Sequence, residues 1–354
     1  MLVKTNKHLD DNKEYLAIYV PKIEIESEGR KKENSRIIQK FLRKTKWETK
    51  NDESLRKGTE VVSPVLKGDN EKTSNEIKSV CAILNGIDQG ISKRCGGHVH
   101  IGADYLKSKQ DWTNLIKIWS NAEKVLYVMC NKEGVIPRME IMEYAEPISK
   151  KVEDAIKKGT INLESKEDLS KFAKEMVKVQ ESRQSSINFC NVGNKYKNTI
   201  EFRVSNGTID PVVWIENINL FGGIIRRAHE LSIIQAKAAN ERREDEIKLL
   251  DSFEKLQTEE NEEQIAKALV DLCIEPEDRH IYIDRYFINH MLLEFAPDLK
   301  DEIVSKISTS KIGKKIFTGD KAITGEEYEK GKQIIEHIQK SLEEKQGKGG
   351  KAVC

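Results

Sequence analysis

Residues 95–102 read Cys-Gly-Gly-His-Val-His-Ile-Gly, and residues 199–208 read Thr-Ile-Glu-Phe-Arg-Val-Ser-Asn-Gly-Thr. Each stretch places two polar side chains two positions apart within an apolar run that favours a β-strand. Because side chains alternate between the two faces of a strand, His98 and His100 share one face, and so do Glu201 and Arg203. Imidazole, carboxylate and guanidinium groups on one side of a sheet indicate binding of metal and phosphate, not a dry core.

The composition indicates a soluble protein with heavily charged helix surfaces. Of 354 residues, 34% are charged and 38% are apolar, and 60 basic against 59 acidic residues leave a net charge of +1. That balance does not predict a nucleic-acid partner. No apolar run approaches the ~20 residues of a membrane span, so no membrane is expected as a partner. Six dispersed cysteines without a Cys-x-x-Cys pair predict a reducing cytoplasm.

Strands and helices are predicted to alternate without a regular βαβ rhythm, which favours an α+β sheet with antiparallel pairs. Among the predicted helices, one begins at a capping Asp111 and another begins at Asp210 and carries Arg226 and Arg227 on its surface. The predicted segments are a flexible N-terminus (1–14), a main folded domain (15–238), a charged helical C-terminal region (239–345) and a disordered tail (346–354).

Three further carboxylates fit either a divalent-cation site or an ordinary polar strand face. Glu24 and Glu26 are two positions apart on the first strand, so both face one way, and hard cations prefer several carboxylate oxygens. The alternative is a solvent-facing strand side, where Glu is common. Glu60 lies inside an apolar strand, where a buried carboxylate needs a partner or a metal. Its alternative is the polar face of an alternating strand.

The histidine and arginine residues also leave two interpretations open. His98 and His100, close to three glycines, suit a shared metal or a phosphate, but a core histidine is the ordinary alternative. Glu201 and Arg203 are either a structural ion pair or, since arginine donates bidentately, part of a phosphate site. Arg138 follows Pro137 in a predicted loop, and Arg183 precedes an apolar strand.

In this order, the motifs resemble the putative amidoligase family, which is similar to glutamine synthetase and glutamate–cysteine ligase in the carboxylate–amine ligase superfamily. The matching elements are Glu-x-Glu at 24–26, Asp-x-Ser-Leu at 52–55, Gly-x-Glu-Val-Val-Ser-Pro at 58–64, the histidine strand at 95–102, Arg138 ahead of Tyr-Ala-x-Pro at 144–147, an arginine-led strand with Asn188, and the strand at 199–208. Lys22 stands where the family usually has a glycine.

The resemblance covers roughly residues 16–237 and implies a fold and a chemistry. The implied fold is a curved, largely antiparallel sheet of glutamine-synthetase catalytic-domain type, with helices on its outer face and 15–238 as the catalytic domain. The implied reaction is ATP-dependent. A substrate carboxylate attacks the γ-phosphate to form an acyl phosphate, and an amine then displaces phosphate. The implied partners are therefore ATP, a carboxylate substrate, an amine substrate, and Mg²⁺ or Mn²⁺.

The resemblance also implies roles for individual residues. The metal ligands would be Glu24, Glu26, Glu60, His98 and Glu201, and the catalytic groups Arg203, Glu201 and His98. Arg203 would contact the transferred phosphoryl group, and Arg138 and Arg183 would contact phosphate or a substrate carboxylate. His100 would support the strand or bind substrate.

Two other functions stay open at the level of sequence. A metal-dependent amide hydrolase would use His98, His100 and Glu60 as a tight three-ligand set and would act without ATP. A catalytically inactive relative would serve as a binding or scaffold protein, and Lys22 is the sequence feature that supports it.

Overall fold

The structure, a computed structural model, describes residues 19–20, 22–29, 34–43, 45–50, 58–67, 71–87, 89–91, 95–132, 145–161 and 169–295. The predicted N-terminal segment 1–14, the predicted tail 346–354 and residues 296–345 lie outside these ranges, as does Arg138. For Glu24 and Glu26 the backbone is described and the side chains are not. The predictions for these segments and side chains therefore stay predictions.

Within the described residues, the strands form one larger antiparallel sheet and one small one. Their bounds are β1 Tyr19–Val20, β2 Lys22–Gly29, β3 Glu48–Lys50, β4 Gly58–Val62, β5 Leu66–Lys67, β6 Gln89–Gly90, β7 Gly96–Gly102, β8 Ile187–Asn188 and β9 Thr199–Asn206. The larger sheet has the order β3-β4-β2-β7-β9-β8, with β6 also pairing with β2, and β1 pairs with β5. Every pairing between these strands is antiparallel, which confirms the predicted α+β class.

The helices flank this sheet and continue beyond it. Their bounds are α1 Asn34–Leu42, α2 Glu71–Gly86, α3 Lys109–Met129, α4 Ser149–Lys157, α5 Leu169–Gln180, α6 Pro211–Ala236, α7 Glu244–Thr258, α8 Glu262–Cys273 and α9 Arg279–Phe295. Asp210 caps α6 ahead of Pro211, as the sequence predicts. Within the described ranges, no helix is both long and apolar enough to cross a bilayer.

One face of the larger sheet is apolar and packs against α3 and α6. The fully buried side chains on this face include Ile25, Val61, Val99, Ile200 and Phe202. The ring of Phe202 stacks on Phe221 of α6 with centroids 4.6 Å apart and lies 5.3 Å from the ring of Trp119 in α3. Because strands alternate, this packing turns the intervening polar residues to the opposite face.

The prediction that Arg226 and Arg227 lie on a helix surface is wrong. Both are buried, because α8 and the segment after it cover that side of α6. Arg226 pairs with Glu275 at 2.8 Å, and Arg227 donates from Nε to the carbonyl oxygen of Leu272 at 2.5 Å and pairs with Glu230. Helices α7, α8 and α9 also pack on α3, so their apolar residues join the core of the sheet domain. A division into domains at residue 238 stays a prediction.

The N-terminus of α3 differs from the prediction in its capping residue. Ser108 is the cap, and Asp111 lies three positions later, where it completes a capping box with the backbone of Ser108. Burial raises the pKa of Asp111, but hydrogen bonds from His229, Ser108, Ser232 and the backbone of Lys107 outweigh it and lower that pKa to about 2. The carboxylate therefore stabilises the folded protein only while it is ionised.

Asp111→Asn should lower the free energy of unfolding by about 2 kcal/mol at pH 7, the value that a shift from 3.8 to about 2 implies. A depressed folded pKa contributes stability above the unfolded pKa, and this stability is lost as the pH falls. The difference between variant and wild type should therefore shrink between pH 4 and pH 2. Urea unfolding at several pH values measures it. Asp245→Asn, at an exposed carboxyl group in the first turn of α7, is the control and should change stability much less.

Candidate active site

The antiparallel register brings polar positions from five strands onto the face opposite the apolar core. Directly paired positions are Glu26 with Glu60, Glu24 with His98, Lys22 with His100, His100 with Glu201, and Asn188 with Glu201. Paired residues of antiparallel strands lie on the same side of the sheet. Backbone positions far apart in sequence, including all four predicted carboxylates, therefore share one polar face.

A bulge beside His98 shapes the centre of this face. Gly97 pairs with Ser205 and Val99 with Phe202, so β9 has one extra residue opposite His98. Such bulges bend a strand and redirect its side chains. A Cβ atom on Gly97 would lie 2.9 Å from the carbonyl oxygen of Asn206. The glycine ahead of His98 is thus required by close approach of the two strands.

The Glu201 carboxylate is the centre of the polar face. It is only 5% exposed, and its Oε1 atom lies 2.5 Å from the Arg203 guanidinium, 3.6 Å from Nδ1 of His98 and 4.0 Å from Nε2 of His100. Its Oε2 atom accepts a hydrogen bond of 2.7 Å from Nδ2 of Asn188. Three predicted side chains, those of Arg203, His98 and His100, therefore surround one buried oxygen of the fourth, Glu201. The low local dielectric strengthens each of these interactions.

The remaining predicted residues lie further from this centre. Glu60 is half-buried on β4, and its strand is separated from the histidine strand by β2. Arg183 is exposed in the turn between α5 and β8, and within the described residues it forms no ion pair with Glu201. The roles of both residues stay predictions.

Three residues around Glu201 were not assigned a role from the sequence. Asn188 donates to Glu201, Gln180 donates from Nε2 to Oδ1 of Asn188 at 2.7 Å, and Thr199 Oγ1 lies 3.4 Å from Nδ1 of His100. The signal for Asn188 was an amide in an otherwise apolar strand. Gln180 gave no signal, because a glutamine at the end of an amphipathic helix is ordinarily exposed.

The donor chemistry of the polar face suits Mg²⁺ or Mn²⁺, since carboxylate positions outnumber imidazoles and hard cations prefer oxygen ligands. Among the residues whose side chains are described, no three His, Cys, Asp or Glu side chains converge closely enough to hold a metal ion. The predicted ligand set includes Glu24 and Glu26, whose side chains lie outside that description. The five-residue metal set therefore stays a prediction.

A family model described as putative amidoligase enzyme matches residues 24–225. The matched range begins on β2 and ends within α6, so it contains every residue placed above around Glu201. Among proteins with curated descriptions, none matches the chain.

Proposed function

Because this chain belongs to the putative amidoligase enzyme family, we propose that it is an ATP-dependent ligase that joins a carboxylate to an amine through an acyl phosphate. The observation that carries the proposal is the buried Glu201 carboxylate, which holds Arg203 in place beside His98 on the polar face. Transfer of a phosphoryl group needs charged groups that are already held in a fixed orientation, and the guanidinium of Arg203, held by Glu201, is such a group.

In the proposed reaction, an oxygen of the substrate carboxylate attacks the γ-phosphorus of ATP, and the bond to the bridging oxygen breaks to release ADP. The amine nitrogen then attacks the acyl carbon, loses a proton, and the carbon–oxygen bond to phosphate breaks. Arg203 donates hydrogen bonds to the transferred phosphoryl group, because its planar guanidinium matches the geometry of phosphate oxygens. Arg138 and Arg183 bind phosphate or a substrate carboxylate.

The proposed metal ligands are Glu24, Glu26, Glu60, His98 and Glu201, and the proposed ion is Mg²⁺ or Mn²⁺. A bound cation would supply charge neutralisation for the phosphates. His100, 1% exposed and within 3.4 Å of Thr199, supports the histidine strand from within the sheet. We also propose that the sheet is of glutamine-synthetase type, which the antiparallel order and the single polar face support.

The hydrolase alternative requires His98, His100 and Glu60 to converge on one metal ion. The side chains of all three are described, and they form no three-ligand group. A zinc hydrolase site needs such a set in a tetrahedral arrangement, so this observation favours the ligase.

We also propose a cytoplasmic location, because a reducing compartment keeps thiols free. The described cysteines are free, and Cys190 is the exposed one among them. Burial raises the pKa of Cys81 to about 12, so its thiol is unreactive at neutral pH.

The proposal predicts phosphate release that requires ATP, Mg²⁺, a carboxylate and an amine together. We expect ADP and phosphate as products, and ¹⁸O placed in the substrate carboxylate should appear in the released phosphate, because the acyl phosphate transfers that oxygen. A panel of amino acids and peptides, with each component omitted in turn, supplies the controls. Formation of AMP and pyrophosphate would contradict an acyl phosphate. Absence of nucleotide binding in calorimetry with either Mg²⁺ or Mn²⁺ would leave the inactive scaffold as the better description.

A further inference from the structure

We propose that Asn188 and Gln180 are positioning residues that fix the orientation of the Glu201 carboxylate. We call these two side chains the amide pair. The amide pair holds one carboxylate oxygen, Oε2, and leaves the other, Oε1, directed at His98, His100 and Arg203. This inference rests on the proposed function, since it assigns Oε1 to the cation and phosphate chemistry of the ligase.

The hydrogen bonds of Asn188 determine which way its amide points. Its Oδ1 atom accepts from Nε2 of Gln180 at 2.7 Å and from the backbone N–H of Cys190 at 2.9 Å. An amide oxygen has two lone pairs, so both are used. The NH₂ group of Asn188 must therefore face Glu201, where it donates to Oε2 at 2.7 Å. A flipped amide would set its oxygen against Oε2 of Glu201 and its NH₂ group against the N–H donors of Gln180 and Cys190.

Gln180 is fixed in the same way. Its side chain is 0% exposed, and its Oε1 atom accepts from the backbone N–H of Phe189 at 2.8 Å. Its Nε2 atom therefore faces Asn188 and also donates to the carbonyl oxygen of Ser182 at 2.9 Å. Nε2 of Gln180 also lies 3.2 Å from Sγ of Cys190. Among the described residues Gln180 forms no hydrogen bond with Glu201, so its influence on that carboxylate passes through Asn188.

The backbone after Gln180 is unusual in a way that supports a dedicated role. Glu181 has a φ of 61°, in the left-handed region that disfavours residues with a side chain. This conformation ends α5 at Gln180, whose carbonyl oxygen accepts from the backbone N–H of Ser182 at 2.6 Å. Strained backbone persists where its surroundings hold it, and it is concentrated at functional sites. The turn keeps Gln180 directed inward.

The consequence is that the two oxygens of Glu201 differ in their partners. Oε2 has a neutral donor, while Oε1 faces two imidazoles and a guanidinium. A glutamate side chain has three rotatable bonds, so an unrestrained carboxylate would spend much of its time in other orientations. At other metal sites, removal of a residue that orients a metal ligand typically lowers metal affinity or activity about 10–100-fold.

The test measures the affinity of the full-length protein for Mn²⁺. Electron paramagnetic resonance reports the concentration of free Mn²⁺ in each titration. Asn188→Ala should weaken binding about 10–100-fold and lower kcat more than it raises KM for ATP. Gln180→Ala should weaken binding less, and the double variant should bind no more weakly than Asn188→Ala, because Gln180 acts only through Asn188. Gln180→Glu keeps the volume but cannot donate to Asn188, and it should weaken binding even if the alanine variants fold poorly.

Asn217→Ala is the matched control. Asn217 is also buried, and its NH₂ group donates to Cys130 and Ser205, away from the polar face. It should lower thermal stability and leave Mn²⁺ affinity unchanged. Unchanged Mn²⁺ affinity in folded Asn188→Ala and Gln180→Glu, or additive effects in the double variant, would overturn the role of the amide pair alone. A wild-type protein that binds no Mn²⁺ but releases phosphate from ATP would overturn this inference alone. A wild-type protein that binds no Mn²⁺ and no nucleotide would overturn the ligase proposal and this inference with it.

Discussion

Glu201→Gln should lower ATP-dependent phosphate release about 1000-fold, the upper end of what removing one preorganised electrostatic group costs. The substitution keeps the size of the side chain and an oxygen that can accept from Asn188, but it removes the charge that holds Arg203 at 2.5 Å. Without that charge, the guanidinium loses its fixed orientation and the proposed cation loses a ligand. Phosphate release and Mn²⁺ affinity, measured on the same preparation, should both fall.

Glu230→Gln is the control for loss of a buried ion pair. Glu230 is as buried as Glu201 and pairs with Arg227, but it lies on α6, behind the apolar face of the sheet. We expect lower stability with unchanged phosphate release per folded molecule. Retention of more than about a tenth of wild-type activity by Glu201→Gln would show that the pair with Arg203 is structural, because removal of a group that acts on the transition state costs far more.

The polar face was predictable because its pattern is local. A strand alternates with a period of two, so the shared faces of His98 with His100 and Glu201 with Arg203 follow from strand conformation alone. The order of the strands did not follow from periodicity. The resemblance implied a largely antiparallel sheet without giving that order, and the antiparallel register places Glu24, His98 and Glu201 on one face.

The burial of Arg226 and Arg227 does not follow from the sequence, because it depends on contacts between distant segments. Both residues occupy helix positions that are ordinarily exposed, and only the packing of α8 buries them. The cap of α3 is a different case, because Ser108 and Asp111 have the three-residue spacing of a capping box, which is a local signal. The hydrogen bonds that His229 and Ser232 of α6 make with Asp111 are long-range, and the sequence does not indicate them.

Gly223→Ala should lower the free energy of unfolding by about 3 kcal/mol, at the upper end of the cost of overpacking a core. Gly223 lies where α6 crosses the end of α8, and a Cβ atom there would lie 2.3 Å from the carbonyl oxygen of Cys273. Because that neighbour is backbone, no side chain can rotate away, and the helices must separate. Alanine is preferred over glycine in a helix by only about 0.5–1 kcal/mol, so the clash outweighs that gain.

Gly86→Ala is the matched control, since a Cβ atom on Gly86 at the end of α2 meets nothing within 4 Å. It should leave stability unchanged or raise it slightly.

Urea unfolding also reports on the proposed boundary at residue 238. If α7–α9 fold as one unit with the sheet domain, Gly223→Ala should shift a single transition, because the α6–α8 contact joins the two parts. If residues after 238 form a separate domain, the substitution should split unfolding into two transitions. A Gly223→Ala protein as stable as wild type would contradict the close approach of α6 and α8.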